Sequence, residues 1–272
     1  MTFFTEPPPP RRVAQPIARD VVRVVADNGG PMTCHGTNTY VHDTGAGTVV
    51  IDPGPADDAH LAAVRHAAGA RVEAIVLTHR HRDHADGAPA LARETGAPLV
   101  AAEWAAGGLV VDRLVAEGDR VAGLEVLATP GHAPDHVCLA TPGGALFTGD
   151  HLMAWAPSAV ASPDGDAAAY VRALERLRRR PETLYLPGHG PPLMRPRVLI
   201  DTLLAMRAER EAAIVEAVAR RPGEDAGAIA RALYPRTEGD AAAQARRHLD
   251  PYLVKLVDEG ALLRRAERFY PT

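Results

Sequence analysis

Ten consecutive residues, Thr78 to Gly87, read THRHRDHADG and hold three histidines and two aspartates. His79 and His81 are two apart, just past an apolar run that reads as a strand. Alternate residues of extended backbone point the same way, so both rings can face one point. Asp83 and His84 follow where a helix should begin and can face a second point beside the first. Imidazole and carboxylate together suit zinc, manganese or iron, and neither Cys34 nor Cys138 lies nearby to offer a thiolate.

Two metal ions need more ligands than this cluster supplies. His132 in TPGH, Asp150 in TGD and His189 in PGH each follow a predicted strand and sit beside a glycine. Glycine lets backbone crowd close to a site. Strand ends would therefore deliver ligands to one edge of a sheet. His35, His42, His60, His66 and His248 have no such setting and read as ordinary surface or core residues.

The elements needed to position these groups are legible. Strands fit 21–28, 38–45, 48–54 and 72–78, with a helix over 57–69 that Asp57 can cap and Gly69 can stop. A helix fits 84–95. Strands fit 98–103, 124–131, 136–141 and 145–150, then a helix 166–180 and a strand 183–189. Strands in meanders that give way to alternating helices imply α/β layers. A long helix over 197–220, two more over 224–233 and 240–259 and an alternating tail over 261–271 follow the pattern of a winged helix. The chain divides into a proline-rich lead-in (1–19), a catalytic domain (20–195) and a helical, winged-helix-like domain (196–272). Trp104 and Trp155 read as packing residues in stretches that could line a pocket.

Composition excludes some classes. Apolar residues make up 46%, enough for a substantial core, and the net charge of −4 argues against a broadly basic nucleic-acid surface. Residues 195–272 hold 14 Lys and Arg against 12 Asp and Glu, too even for an electrostatic footprint. Two cysteines outside any CxxC motif make no disulfide framework. No run reaches membrane-spanning length, and no signal-like segment opens the chain, so the expectation is a cytoplasmic protein without membrane contact.

THRHRDH, TPGH, TGD and PGHG, in that order and with VIDPG upstream, resemble the metallo-β-lactamase superfamily. The resemblance implies an αββα sandwich with its site along one edge of two sheets. It implies that His79, His81 and His132 hold one metal, that Asp83, His84 and His189 hold a second, and that Asp150 bridges them. Asp52 would support the ligand loop, and His136 would stand behind the ligands or face substrate. GTNTY (36–40), TPGHAPDH (129–136), the segment around 206–214 and the tail are similar to the lactamase-β-like 2 group. The metal set also matches the seven ligands of glyoxalase II-like thioesterases. The implied cofactors are two divalent ions, zinc first, with iron or manganese also compatible. The implied chemistry is hydrolysis by a metal-bridging hydroxide, with Asp83 as the catalytic carboxylate. The first expectation for substrate is a small ester or thioester. The alternative is single-stranded RNA cut by a metal-dependent endoribonuclease. A β-lactamase and a catalytically silent binding protein rank lower. A homodimer stays open.

Overall fold

The computed structural model describes residues 5–102 and 109–272. Trp104 lies outside the described residues. The chain forms two compact units.

The first unit, which spans residues up to 129 with 135–158 and 181–196, carries two sheets. The first sheet holds β1 (Ala14–Ala18), β2 (Val21–Val25), β3 (Asn38–Asp43), β4 (Thr48–Ile51), β5 (Val72–Val76), β6 (Leu99–Ala102) and β7 (Arg113–Val115), in that order. β1 to β4 pair antiparallel, and β4 to β7 pair parallel. Parallel steps need crossovers: α1 (Asp58–Ala68) connects β4 to β5, and α2 (Arg82–Ala85) with α3 (Ala88–Thr95) connects β5 to β6. The second sheet runs β12 (Leu184–Pro187), β11 (Ala145–Gly149), β10 (Val137–Ala140), β9 (Leu124–Ala128), β8 (Arg120–Val121).

Side-chain alternation assembles the layers. Val49 and Ile51 of β4, with Ala74 and Val76 of β5, join Leu124, Val126, Leu139, Phe147 and Leu186 in a core between the sheets. Val50, Ile75 and Leu77, pointing the other way, pack with Leu61, Val64, Ala88 and Leu91 of α1 and α3. Strands buried on both faces read as unbroken apolar runs, which is why VEAIVL shows no period of two. Asp57 caps α1 by accepting the amides of Ala59 and His60, and Gly69 closes it at φ 74°, as the sequence predicts.

Three expectations need correction. Residues 14–18 were assigned to the lead-in, but they form β1 and pair with β2. The lead-in itself is tied down, with Glu6 bonded to Arg23 at 2.8 Å and Arg12 to Asp57 at 2.7 Å. The helix expected over 84–95 is two. The helix breaks at Gly87, whose amide donates to the Gly54 carbonyl at 2.9 Å, and the position takes glycine because a Cβ there would stand 2.8 Å from Leu61 and 3.0 Å from the Pro55 carbonyl. Pro89 then sits in the first turn of α3, where its missing N–H is harmless. The third concerns edge strands: β7 and β8 are short, half-exposed and carry no apolar pattern, so the sequence did not reveal them.

The second unit groups residues 130–134 and 159–180 with 197–272, which departs from a linear boundary at 195. Its elements are α4 (Ala167–Arg178), α5 (Pro196–Arg220), β13 (Glu224–Asp225), α6 (Ala226–Leu233), α7 (Gly239–Asp258), β14 (Leu262–Arg265) and β15 (Arg268–Pro271). The helix, helix, hairpin order expected of the tail is present, with β15 central in a three-stranded sheet. α4 belongs here because its contacts do. The Arg207 guanidinium lies 4.7 Å from the Tyr170 ring centre and donates to Tyr252 Oη at 2.6 Å. Residues 130–134 follow α4, since the Asp166 amide donates to the Gly131 carbonyl at 2.9 Å. Lys255, the only lysine, is buried between Glu211 and Glu259 at 2.8 and 2.7 Å. No helix among the described residues is long and apolar enough to cross a membrane.

His60 is fully buried in α1, with Nε2 2.9 Å from Thr39 Oγ1. Burial pushes its pKa down to about 4; Asp57 opposes this and Arg12 adds to it. The unfolded imidazole titrates near 6.5, so the folded state binds the proton less well. The stabilisation is whole above about pH 6.5 and is lost as pH falls toward 4. Wild type should therefore lose about 2–3 kcal/mol more than His60→Gln between pH 7 and 4.5. Urea unfolding of both proteins at the two pH values measures this.

Candidate metal centre

Strand direction brings the site together. β4 and β5 run parallel, and so do β11 and β12, so Asp52, the 78–84 segment, Asp150 and His189 all leave carboxyl ends of strands. β3 is antiparallel to β4, which puts its first residues at the same edge as the end of β4. Backbone bonds then stitch the loops. The Asp52 amide donates to the Val76 carbonyl at 3.0 Å and the Val137 amide to the Thr78 carbonyl at 2.8 Å. The Gly188 amide donates to the Gly149 carbonyl at 2.8 Å.

Asp52 is the hub. It is 2% exposed and adopts φ 51°, a left-handed conformation that a short polar side chain tolerates. Its Oδ1 accepts the Thr78 amide at 2.8 Å, and its Oδ2 accepts the Thr78 hydroxyl at 2.7 Å and His84 Nδ1 at 2.9 Å. These bonds fix tautomers. The Thr78 hydroxyl has given its proton to Asp52, so it accepts from His79 Nδ1, 3.0 Å away. His189 Nδ1 lies 3.2 Å from the Gly36 carbonyl, which can only accept. In each of these three rings Nδ1 carries the proton and Nε2 is left to act as a ligand.

Those ligand atoms converge. His84 Nε2 and His189 Nε2 stand 3.3 Å apart. Asp83 Oδ2 is 3.2 Å from His189 Nε2 and 3.6 Å from His84 Nε2, and Asp150 Oδ1 is 3.5 Å from both. His79 Nε2 faces His81 Nδ1 at 3.0 Å. Asp83, His84 and His189 form a group that could hold a metal ion, and so do His79, His84 and Asp150. His132 sits in the 130–134 loop, where its Nδ1 donates to the Ala159 carbonyl at 2.7 Å and thereby directs Nε2 toward ligand duty.

The electrostatics are those of a cation site. Burial pushes the His84 imidazole down, but the Asp150 and Asp52 carboxylates outweigh it and hold its pKa well above the ordinary value. Burial pushes the Asp83 carboxyl up, yet His189 and His84 beside it hold it below the ordinary carboxylate value. Facing imidazoles with two carboxylates among them want positive charge, and a divalent ion supplies it where a single proton cannot reach every acceptor.

His136 is 1% exposed and sits behind the ligands. Its Nε2 accepts the Asp150 amide at 3.2 Å, and its Nδ1 pairs with Thr129 Oγ1 at 2.9 Å. Trp155 lies against Gly190, where an added Cβ would come within 2.6 Å of the indole. Sequence reading missed Thr78, whose hydroxyl links Asp52 to His79, although it adjoins the histidine cluster.

Comparison with known proteins fixes the family. Residues 32–104 and 100–189 match the family described as the Metallo-beta-lactamase superfamily. The chain belongs to the metallo-beta-lactamase superfamily. It is a hydrolase of that superfamily, with the divalent-metal chemistry that membership implies. A beta-lactamase-like protein 2 homolog of Drosophila melanogaster is 29% identical over 90% of each chain. An atrochrysone carboxyl ACP thioesterase, AgnL7, of Paecilomyces divaricatus is 31% identical over 75% of this chain and 66% of its own length. A beta-lactamase domain protein from Burkholderia ambifaria shares the fold with a TM-score of 0.82 at 23% identity, over 97% of this chain and 95% of that one. TTHA1623, solved in a di-iron-bound form, is 33% identical with a TM-score of 0.54, over 63% of this chain and 93% of its own.

The metallo-beta-lactamase site has no room for side chains at its glycines. A Cβ on Gly188 would stand 2.6 Å from His84 Cε1 and 2.7 Å from Asp150 Oδ1. One on Gly149, at φ 45°, would stand 2.6 Å from Thr78 Oγ1. Gly188→Ala carries no left-handed backbone penalty, so its effect isolates the steric clash. It should cost about 1–3 kcal/mol in urea unfolding, the usual range for overpacking.

Proposed function

We propose that the chain is a dinuclear metal-dependent hydrolase of a small ester or thioester. The observation that carries this is the convergence of ligand atoms whose rings are already held through Nδ1 by Asp52, Thr78 and Gly36. In this reading His79, His81 and His132 hold one ion, Asp83, His84 and His189 hold the other, and Asp150 lies between. Zinc is the first choice of metal; iron and manganese accept the same donors, and the di-iron form of TTHA1623 supports iron. Two such ions, when bound, lower the pKa of water toward 7 and polarise the scissile carbonyl.

The protein's own groups divide the remaining work. Asp52 and the Gly36 carbonyl orient rings, and His136 holds the Asp150 backbone. Asp83 is set apart by exposure: its side chain is 32% exposed, against 0% for His84, 1% for His189 and 10% for Asp150. It faces the approach and is ionised, so the Asp83 carboxylate takes the proton of the attacking water and returns it to the leaving alkoxide or thiolate. The thioesterase name of the Paecilomyces divaricatus relative supports a thioester. The even charge of residues 195–272 supports a small substrate over single-stranded RNA. The free Cys34 and buried Cys138 fit a reducing cytoplasm.

Wild type and Asp83→Ala, both loaded with zinc, are to be assayed on a panel of acyl thioesters and esters and on labelled single-stranded RNA. Wild type should hydrolyse thioesters or esters, and the variant should be slower by roughly 100-fold or more while keeping the circular dichroism spectrum of the folded wild type. Cleavage of RNA alone, or full activity in the variant, would overturn the proposal.

A further inference from the structure

The turn that carries His189 has little stiffness of its own. It reads Pro187-Gly-His-Gly190, and glycines on both sides leave the backbone free to swing. Yet a ligand must be held within a fraction of an ångström to bind metal well. The restraint has to come from outside the turn.

It comes from the start of β3. The two N–H groups of the Asn38 carboxamide meet the Pro187 carbonyl at 2.9 Å and the Gly190 carbonyl at 2.9 Å. The Asn38 backbone amide donates to the Gly188 carbonyl at 2.7 Å. Asn38 thus holds the backbone on both sides of His189. Tyr40 Oη fills the second lone pair of the Pro187 carbonyl at 2.9 Å, and Arg23 reaches the Gly190 carbonyl at 3.4 Å. The ring itself is tied to the same segment through Gly36.

We propose that Asn38 is a positioning residue for the second metal ion, acting through the turn that presents His189. The residue type is dictated by the task. A primary amide offers two donors on one nitrogen, splayed so that two carbonyls can be served at once. Serine or threonine offers one, and an ionised aspartate offers none. Asn38 is 2% exposed, so water cannot replace a lost bond cheaply. The other ligands of the proposed second ion have separate supports, since His84 is held by Asp52 and Asp83 sits on α2. Loss of Asn38 therefore loosens one ligand of that ion and none of the first.

The inference rests on the reading of His189 as a ligand, and its test separates the two. Metal-free wild type, Asn38→Ala, Asn38→Asp and His189→Ala are to be titrated with zinc against a chromophoric chelator, which resolves tight and weak ions. Both Asn38 variants should weaken the same ion that His189→Ala weakens, by roughly 10- to 100-fold, the usual effect of removing a ligand's support. The first ion should keep its affinity, a split that a general loss of stability would not produce. Asn38→Asp keeps the size of the side chain, so it remains informative if Asn38→Ala fails to fold. Wild-type affinity for both ions in Asn38→Asp would overturn the positioning role. Wild-type affinity for both in His189→Ala would overturn the ligand reading instead.

Discussion

The molecule is organised around imidazole nitrogens and carboxylate oxygens that crowd together and call for positive charge. His84 Nε2 and His189 Nε2 meet at 3.3 Å with each Nδ1 engaged, and two carboxylates close around them. Left without a cation, that arrangement would be costly in a buried place. The fold maintains it through loops bonded to one another along the backbone. The elevated His84 pKa and depressed Asp83 pKa both report a site built for positive charge.

Holding such groups in register is the work of the sheets. Parallel pairs β4–β5 and β11–β12 end at the same edge, and loops cross-bonded at 52–76, 78–137 and 149–188 leave the ligands few alternatives. The two apolar cores serve the same purpose. Val76, one residue before Leu77, anchors one face of β5 between the sheets, and Ile75 and Leu77 anchor the other against helices. A histidine loop that starts from a strand fixed on both faces has a well-defined origin.

Much of this was legible in the sequence, for a local reason. His79 directly follows an apolar run, and His132, Asp150 and His189 each follow one beside a glycine, so short motifs record the strand ends and, at those three, the crowding. The capped helix over 58–68 was legible on the same grounds. What escaped notice depends on contacts distant in the chain. Asn38 meets Pro187 and Gly190 across 149 and 152 residues, and nothing in GTNTY alone announces them. The break at Gly87 goes with its amide's bond to the Gly54 carbonyl, which is distant in the chain. The grouping of α4 with the tail depends on Tyr170 meeting Arg207. Edge strands β1, β7 and β8 lack an apolar pattern because no layer covers them completely.

The central claim is that this edge binds two divalent ions, and counting them is its most direct test. Protein dialysed against metal-free buffer after zinc loading is to be assayed for tightly bound metal per chain by inductively coupled plasma mass spectrometry. The account predicts two ions per chain. A protein that hydrolyses its substrate while holding one ion, or none, would contradict it.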